Sequence, residues 1–363
     1  GTCTANITNN LSNRNLIING AMQCAQYGSS GTDAFCCVDR FQQGNSGVDE
    51  APTGSQVDIA SGTTPYTSGF RKAFRITNGN QTSGAGASDF AIMLYRVEAQ
   101  DLANSGWNYT SSSSYITLSY WVKSSVAQNF FVTLKSGDGT PQKYATETGS
   151  LSADTWTKVT KTIPGNSNIQ FDNDTGEGLE IEWSIFRGTG QTGSMSLNAW
   201  AANNNSVRTP DQTSTWYTTN DATFEVTGVQ LEVGSVATDF EHRSFGDELS
   251  RCQRYYYRTT PSNQGFYGVG NIDGGSQGQI LIHFPTEMRS KPTSLETTGT
   301  ATDYILRVTS NANCTGVPTL DNTSTTTALV IPPSSSHGLT DKSGAFLRAG
   351  SDSSFLGFAG AEL

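Results

Sequence analysis

The sequence predicts an all-β protein with a jelly-roll β-sandwich, one short connecting helix and a smaller C-terminal β domain. Apolar and polar residues alternate in many short segments, which is the pattern of strands buried on one face. Runs rich in Gly, Ser, Thr and Asn separate these segments and suit turns and loops. Apolar residues recur at helical spacing in one region alone, so strands alternating with helices are not expected. These three observations favour stacked antiparallel sheets.

The composition is that of a folded but highly polar protein. Aliphatic, aromatic and cysteine residues make up 35% of the 363 residues and charged residues 15%, and both values are low for a globular protein. Aromatic residues nevertheless reach 10%, which distinguishes the chain from a disordered one with few aromatics and many charges. The length suits two or three domains.

Residues 115–123 have the clearest strand pattern. Apolar side chains from Ile116 to Val122 fall on one face, whereas Trp121 lies among polar residues on the other. The same reasoning predicts further strands at residues 15–20, 74–76, 90–94, 130–134, 156–163, 179–185, 224–233, 279–284, 304–308 and 328–331.

The strand at residues 224–233 changes phase at Gly228. Phe224 and Val226 share one face before the glycine, and Val229 and Leu231 share a face after it. A glycine at a phase slip of one residue is typical of a β-bulge. We therefore expect a bulge at this position.

Residues 244–258 are predicted to form the helix that connects two domains. Phe245, Leu249 and Cys252 recur at helical spacing, and acidic residues precede basic ones, as the helix dipole favours. The sequence thus predicts an N-terminal arm at residues 1–13, the jelly roll at 14–243, the connector at 244–258 and the C-terminal β domain at 259–363.

The charge argues against nucleic acid as a partner. The formal net charge is −10 and no cluster of basic residues stands out, so a phosphate backbone would be repelled. No run of about 18 apolar residues occurs, and no membrane span is expected. The chain begins at Gly1 without an initiator Met or a signal peptide. We therefore expect it to be processed or to lack an N-terminal part.

The cysteines are not spaced as metal ligands. There is no CxxC and there are only three histidines, so no metal or cofactor is expected. The adjacent Cys36 and Cys37 should point to opposite faces of a strand and therefore not pair with each other. A bridge from Cys24 to this pair is an alternative to the expectation that most of the six are buried thiols. The six are Cys3, Cys24, Cys36, Cys37, Cys252 and Cys314.

Some segments are more specific than their periodicity. The first is NLIINGAMQ at residues 15–23, followed by DRF at residues 39–41. The second is FEVTGVQLEVG at residues 224–234, followed by residues 240–246 and 252–256. In combination they resemble the opening and closing strands of carbohydrate-binding-module jelly rolls in tailed-bacteriophage fibre and virion proteins. Further segments are similar to the middle strands and last domain of those proteins, at residues 156–163, 178–183, 284–292 and 355–358. The resemblance covers roughly residues 14 to 363, and it implies an antiparallel sandwich, a virion location and binding rather than catalysis.

Sugar binding requires flat aromatic faces together with a few well-placed polar groups. Trp121 lies on the polar face of its strand, and four other aromatic residues lie at or near loop edges. The candidate glycan-binding residues are Trp107, Trp121, Trp200, Trp216 and Tyr217. The alternative for each is that its ring covers the core at an edge of the sandwich. Trp156 and Trp183 fall within strong strand patterns and are assigned to the core.

Catalytic chemistry has little support in the sequence. Glu180 and Glu182 project from one strand face, so a glycosidase pair is geometrically feasible, but a solvated strand face explains them as well. Asp172 and Asp174 belong to a turn-like acidic cluster that suits either calcium or ordinary turn chemistry. There is no GxSxG elbow for a nucleophile.

The predicted function is that of a non-enzymatic virion structural protein, a tail fibre or fibre-like appendage, that binds host cell-surface glycan. The alternatives are a capsid or tail decoration protein and a surface polysaccharide depolymerase. The expected partners are other virion proteins, host polysaccharide and further copies of the chain in a homotrimer. The tyrosines at residues 255–257 and the apolar C-terminal segment are candidate interface material, with packing inside the domain as the alternative.

Overall fold

The structure, a computed structural model, describes residues 13–334 and 339–363. Contacts divide the chain into a first unit, Gly1–Phe245 with Leu363, and a second unit, Gly246–Glu362. The boundary lies within the predicted connector at residues 244–258. Apart from Asn13, the predicted arm at residues 1–13 is outside the described residues. None of the helices in the described part combines the length and the apolar character needed to cross a membrane.

The first unit is a sandwich of two six-stranded sheets. Its strands are β1 (Ser30–Gly31), β2 (Gln42–Ser46), β3 (Thr53–Asp58), β4 (Lys72–Thr77), β5 (Phe90–Glu98), β6 (Tyr115–Ser124), β7 (Asn129–Ser136), β8 (Gln142–Ser150), β9 (Thr157–Pro164), β10 (Glu177–Arg187), β11 (Trp200–Ala202) and β12 (Thr223–Val233). The first sheet has the order β1-β3-β4-β12-β6-β9 and the second the order β11-β8-β7-β10-β5-β2. Neighbouring strands are antiparallel throughout both sheets. Three short helices lie between strands: α1 (Thr64–Thr67), α2 (Ala99–Ala103) and α3 (Thr215–Thr218).

The core lies between the two sheets, where the predicted alternation places it. The face from Ile116 to Val122 on β6 is fully buried, as predicted. Tyr120 on β6 meets Trp183 on β10 edge to face, with ring centroids 5.7 Å apart. Edge-to-face contact is a favoured arrangement of aromatic rings, so this pair joins the two layers. The predicted all-β sandwich is confirmed.

The bulge predicted at Gly228 is confirmed. The pairing of β12 with β6 shifts register between Thr227, opposite Trp121, and Gln230, opposite Ser119. Gly228 has φ +63°, a left-handed conformation that glycine adopts without steric cost. The bulge lets residues on both sides of it face the core.

The strand predicted at residues 15–20 does not form a ladder, which corrects the prediction. Two backbone hydrogen bonds join it to β12, from the Leu16 N–H to the Leu231 carbonyl and from the Val229 N–H to the Gly20 carbonyl, both at 2.9 Å, and the side chain of Asn15 adds two more. Its Nδ2 donates to the Val229 carbonyl at 3.1 Å, and its Oδ1 accepts from the Leu231 N–H at 3.0 Å. The segment therefore lies beside the bulge and ends in a turn from residue 18, with Ile17 fully buried.

The prediction that Cys36 and Cys37 point to opposite faces of a strand is wrong. The chain bends at these residues instead of running extended, and the two Sγ atoms lie 3.5 Å apart. All five cysteines in the described part are buried, and no disulfide joins any two of them: Cys24, Cys36, Cys37, Cys252 and Cys314. The bridge from Cys24 considered above is thus not formed.

Helix α4 (Phe245–Gln253) spans the boundary, and all of it except Phe245 belongs to the second unit, which continues in strands. They are β13 (Tyr257–Thr259), β14 (Phe266–Asp273), β15 (Gln277–His283), β16 (Ser294–Glu296), β17 (Tyr304–Arg307), β18 (Asn311–Asn313), β19 (Thr319–Thr323), β20 (Thr327–Ile331), β21 (Gly344–Ala349) and β22 (Leu356–Ala359), with one 3-10 turn at Ala301–Asp303. They form a three-stranded sheet, β13-β22-β16, and a seven-stranded sheet, β18-β17-β21-β14-β15-β20-β19. Leu347, Leu356 and Phe358 are fully buried there, so much of the apolar C-terminal segment packs inside its own unit.

The connecting helix is shorter than predicted. It ends at Gln253 rather than at residue 258, because the tyrosine run that follows has low helix propensity and leads into β13. Phe245, expected on its buried face, is 56% exposed. Tyr255 and Tyr256 are almost fully buried, so the expectation that they form interface material is corrected: they pack within the fold.

Candidate functional site

Three of the five candidate sugar-binding aromatics are core residues, which corrects the prediction that they are exposed at loop edges. Trp107 is 3% exposed, Trp216 0% and Tyr217 1%. Tyr217 stacks on Phe186 with ring centroids 4.2 Å apart, and its hydroxyl donates to Asp89 at 3.1 Å. The loops that carry these rings fold back over the sandwich and use them to close its ends. Their faces are therefore not available to a ligand.

Trp121 is half-buried on the outer face of the first sheet. It packs beside a small cluster around Phe70 and lines a cavity of about 350 Å³ together with Phe240 and His242. Phe70 and Phe240 meet edge to face at 4.8 Å. Three of its rings, Phe70, Phe240 and His242, already pack against one another, and none of its lining residues carries a carboxamide.

Trp200 lies on β11, at the edge of the second sheet, and its ring lines an open cavity. We call this cavity, of about 530 Å³, the Trp200 groove. Its other lining residues are Thr140, Gln142, Asn166, Asn168, Gln170, Ala201 and Ala202. Apart from the indole, the side chains around the groove are hydroxyl, carboxamide and methyl groups.

The indole of Trp200 is held in place by the sandwich edge. Trp200 pairs with Tyr144 on β8, and the two rings lie 5.3 Å apart. Its Nε1 donates to the carbonyl of Pro164, at the end of β9, at 2.7 Å. Because the polar atom of the ring is satisfied inside the protein, the ring presents its apolar surface to the groove.

The carboxamides of the groove are partly free for a ligand. The side chain of Asn168 is exposed and forms no hydrogen bond with any residue that the structure describes. Asn166 uses only its Oδ1, which accepts from the Asn168 N–H at 2.8 Å. Gln170 donates to Asp172 at 2.7 Å and Gln142 donates to the Thr140 carbonyl at 2.9 Å, which leaves the amide oxygen of each as an acceptor.

A second, charged cavity lies on the outer face of the second sheet. We call this cavity, of about 490 Å³, the sheet cleft. Its floor is formed by β5, β7 and β10, and residues of the 188–214 segment cover it. The lining residues are Phe90, Ile92, Leu94, Arg96, Lys135, Glu180, Glu182, Arg187, Gln191, Asn205 and Arg208.

Glu180 and Glu182 are buried, which corrects the expectation of a solvated strand face. They are 8% and 3% exposed, because residues from the 188–214 segment fold over this side of the sheet. Glu180 accepts from Arg96 at 2.8 Å and from Lys135 at 3.0 Å. A buried carboxylate requires such partners, since the loss of hydration would otherwise be costly.

Glu182 forms a bidentate ion pair with Arg187. The Nε–Oε1 distance is 2.8 Å and the Nη2–Oε2 distance is 2.6 Å, and Ser184 donates a further hydrogen bond. Burial alone would raise the pKa of Glu182, but the Arg187 guanidinium and the neighbouring Lys143 hold it below its usual range. The group is thus ionised at neutral pH, whereas a general acid needs a raised pKa.

Lys143 lies on β8, next to β7 in the same sheet, and adds a further cation to this charged region. It is 4% exposed, and its Nζ donates to the Arg208 carbonyl at 3.3 Å. Burial lowers its pKa to about 8, against the opposing attraction of Glu182. Arg187 and Arg208 add to the lowering, while Glu180 opposes it.

The acidic turn considered for calcium is held by its own hydrogen bonds. Asp172 accepts from Gln170 at 2.7 Å, and Asp174 accepts from the Gly176 N–H at 2.8 Å. The backbone N–H of Asp172 donates to Asp138 at 2.9 Å. Burial and the nearby Asp172 and Asp174 raise the pKa of Asp138. These contacts are the ordinary chemistry of an Asx turn.

No protein-family model matches the chain, and no curated protein matches it. Solved structures are similar at low identity. The enzymatically active domain of tailspike protein 4 from bacteriophage CBA120 is 10% identical with a TM-score of 0.31, and the match covers 61% of this chain and 21% of that one, so it spans about a fifth of the tailspike chain. The N-terminal cellulose-binding domain of Cellulomonas fimi β-1,4-glucanase C is 11% identical with a TM-score of 0.27, over 59% of this chain and 99% of that one. The tandem CBM22-1–CBM22-2 domain of Paenibacillus barcinonensis Xyn10C is 12% identical with a TM-score of 0.28, over 95% and 96%. The all-β assignment rests on the strand pairing described above.

Proposed function

We propose that the first unit is a glycan-binding module and that a saccharide binds in the Trp200 groove. The observation that carries this proposal is a fixed indole beside the unpartnered side-chain amide of Asn168, in an open cavity of about 530 Å³. A sugar ring has an apolar C–H face and a rim of hydroxyls. An aromatic surface bordered by carboxamides complements both parts of such a ligand.

The groove is also prepared for binding without rearrangement. The Trp200 ring is fixed by its hydrogen bond to Pro164 and by its contact with Tyr144, so little side-chain entropy is lost when a ligand arrives. The neutral lining favours hydroxyl groups over charged ligands. We therefore expect neutral polysaccharide chains to be the ligands of this groove.

The test is a glycan array with the full chain, followed by titration calorimetry with the best neutral oligosaccharide. We expect Trp200→Ala to weaken binding at least about tenfold, which corresponds to about 1.4 kcal/mol. Trp121→Ala removes the same kind of ring from the opposite sheet and is the matched control, with unchanged affinity expected. Equal affinity of wild type and Trp200→Ala, with both proteins folded, would refute the assignment of the groove.

We further propose that the chain is a virion structural protein, a tail fibre or fibre-like appendage, that presents this groove to host cell-surface polysaccharide as a homotrimer. The combination of residues 15–23 with 224–234, which resembles phage virion proteins, supports this proposal. Imaging of the intact particle should locate the chain on its surface, and light scattering of the purified chain should give three copies. Absence from the particle would overturn the proposal.

We propose that the module binds without cleaving its ligand. The two closely spaced carboxylates considered for hydrolysis, Glu180 and Glu182, are both engaged in ion pairs. The lowered pKa of Glu182 is unsuited to a general acid. Incubation with bound polysaccharide should release no reducing ends. Sugar release that disappears in Glu180→Gln or Glu182→Gln would instead identify a depolymerase.

A further inference from the structure

The sheet cleft has an excess of positive charge on an acidic protein. Arg96, Lys135, Arg187 and Arg208 line it, against Glu180 and Glu182. These six residues sum to +2, and to +1 when Glu177, which contacts Arg96 and Lys135, is counted with them, whereas the whole chain carries a formal charge of −10. A positive cavity on a negative molecule attracts anions locally, since low-dielectric walls concentrate the field.

Most cations of the cleft are already neutralised by ion pairs. Arg96 contacts both Glu177 and Glu180 at 2.8 Å, and Lys135 contacts the same two carboxylates at 3.2 and 3.0 Å. Arg187 is taken by the bidentate pair with a third glutamate. Three cations are thus matched by three carboxylates.

Two cations of this region remain without a carboxylate. The guanidinium of Arg208 and the Nζ of Lys143 form no ion pair with any residue in the described part of the chain. Lys143 is almost fully buried, and among the described residues its Nζ has one hydrogen-bond partner, the backbone carbonyl of Arg208. A buried ammonium next to a second cation is destabilising unless an anion is supplied. The described part of the chain places no carboxylate within 4 Å of either cation.

The position of Arg208 is fixed although its guanidinium is not. Its N–H donates to the Gln191 carbonyl at 2.7 Å, and its carbonyl accepts from Lys143. The neighbouring Thr209 is fully buried and bridges to Thr192. The backbone therefore holds Arg208 at the cleft, where the planar donors of its guanidinium can bind a carboxylate or a sulfate in bidentate fashion.

The remaining walls suit an organic anion rather than a bare ion. The ring of Phe90 is half-buried in the cleft, and the side-chain nitrogen of Asn205 donates to no described residue. The volume of about 490 Å³ falls within the roughly 300–1,000 Å³ of sites that hold small organic molecules. An apolar ring, a carboxamide and an unpaired guanidinium together complement a sugar that carries a negatively charged group.

We propose that the sheet cleft is a second binding site, for acidic saccharides, in which the oxyanion substituent of the sugar binds Arg208. The substituent is the carboxylate of a uronic acid or a sulfate ester, which share this chemistry. The site is separate from the Trp200 groove, and its existence does not depend on sugar binding there.

The test uses the full chain with the Trp200→Ala substitution, so that the first groove does not contribute. Calorimetry is performed with an oligogalacturonate, a sulfated oligosaccharide and neutral cello-oligosaccharide. We expect the two acidic ligands, or one of them, to bind and the neutral ligand not to bind. The acidic ligand that binds identifies the substituent, and its affinity should fall as salt is raised. Equal binding of neutral and acidic ligands would overturn the proposal.

Arg208→Gln in the same background should reduce acidic binding at least tenfold. Lys291→Gln removes the same charge from an exposed position in the second unit and should change affinity less than twofold. If both variants weaken binding equally, general electrostatics is responsible and the assigned anchor is wrong. Arg208→Lys keeps the charge but loses the planar fork, so an intermediate affinity is expected even if Arg208→Gln proves unstable. In a chain with Trp200 intact, Arg208→Gln should leave neutral-glycan binding unchanged, which separates the failure of one site from that of the other.

Discussion

Replacing Gly228 with alanine tests the bulge that sets the register of β12. At φ +63° an alanine adopts a left-handed conformation, which costs about 1–2 kcal/mol. The added Cβ would lie 2.7 Å from Cζ of Phe70 and 3.0 Å from its Cε2. Phe70 is 2% exposed and is held by Phe240, so the ring cannot simply move aside. Overpacking of this kind costs about 1–3 kcal/mol, and we expect a total loss of roughly 2–5 kcal/mol.

The measurement is urea unfolding followed by tryptophan fluorescence. All six tryptophans belong to the first unit, so the signal reports this unit alone. Gly106→Ala is the matched control, since Gly106 has φ +85° and nothing within 4 Å of the added Cβ. It should show the backbone cost without the clash. Equal destabilisation by the two substitutions would refute the role of Phe70, and no destabilisation by Gly228→Ala would refute the bulge.

Three further predictions concern buried side chains of the first unit. Trp216→Ala should lower the free energy of unfolding by about 3–5 kcal/mol in urea titrations, because the ring is fully buried. Arg187→Met should cost a similar 3–5 kcal/mol by leaving Glu182 unpaired, and adding Glu182→Gln should restore much of that loss in the same assay. Lys143 has a pKa of about 8 in the folded protein and about 10.5 in the unfolded chain. Between pH 8 and pH 10.5 the unfolded chain therefore keeps a proton on this group that the folded protein has lost. Stability should therefore rise by roughly 2 kcal/mol from this group between pH 7 and 10, and Lys143→Met should abolish the rise in unfolding titrations across that range.

The strand pattern could be predicted from the sequence because it depends on local alternation. The buried face from Ile116 to Val122 and the phase slip at Gly228 are both properties of neighbouring residues, and both are present in the structure. Periodicity of two assigns each side chain to a face of its sheet. It does not determine which distant segment of the chain, if any, packs against that face.

The predictions that failed required knowledge of distant contacts. Glu182 occupies a polar position of β10, yet it is buried because a segment more than twenty residues long returns over the sheet. Trp216 and Tyr217 follow a polar loop, yet the loop folds inward and buries both rings. Trp200 alone among the loop-edge candidates lines an open cavity. No local pattern distinguishes it from Trp216, since the difference arises where the chain crosses the sandwich edge.

The buried charges of the second sheet are difficult to explain by stability alone. Ion pairs taken out of water contribute little net stability, and apolar residues of similar size are often as good or better. The fold nevertheless buries Glu182 with Arg187 and keeps Lys143 beside a second cation at a cost that its lowered pKa reflects. We therefore explain the charged residues under the 188–214 segment by ligand binding and not by a contribution to stability. An anion bound beside Lys143 would stabilise its ammonium form, so bound acidic saccharide should raise the pKa of this group above about 8, and an unchanged pKa on saturation would show that the anion does not bind near Lys143.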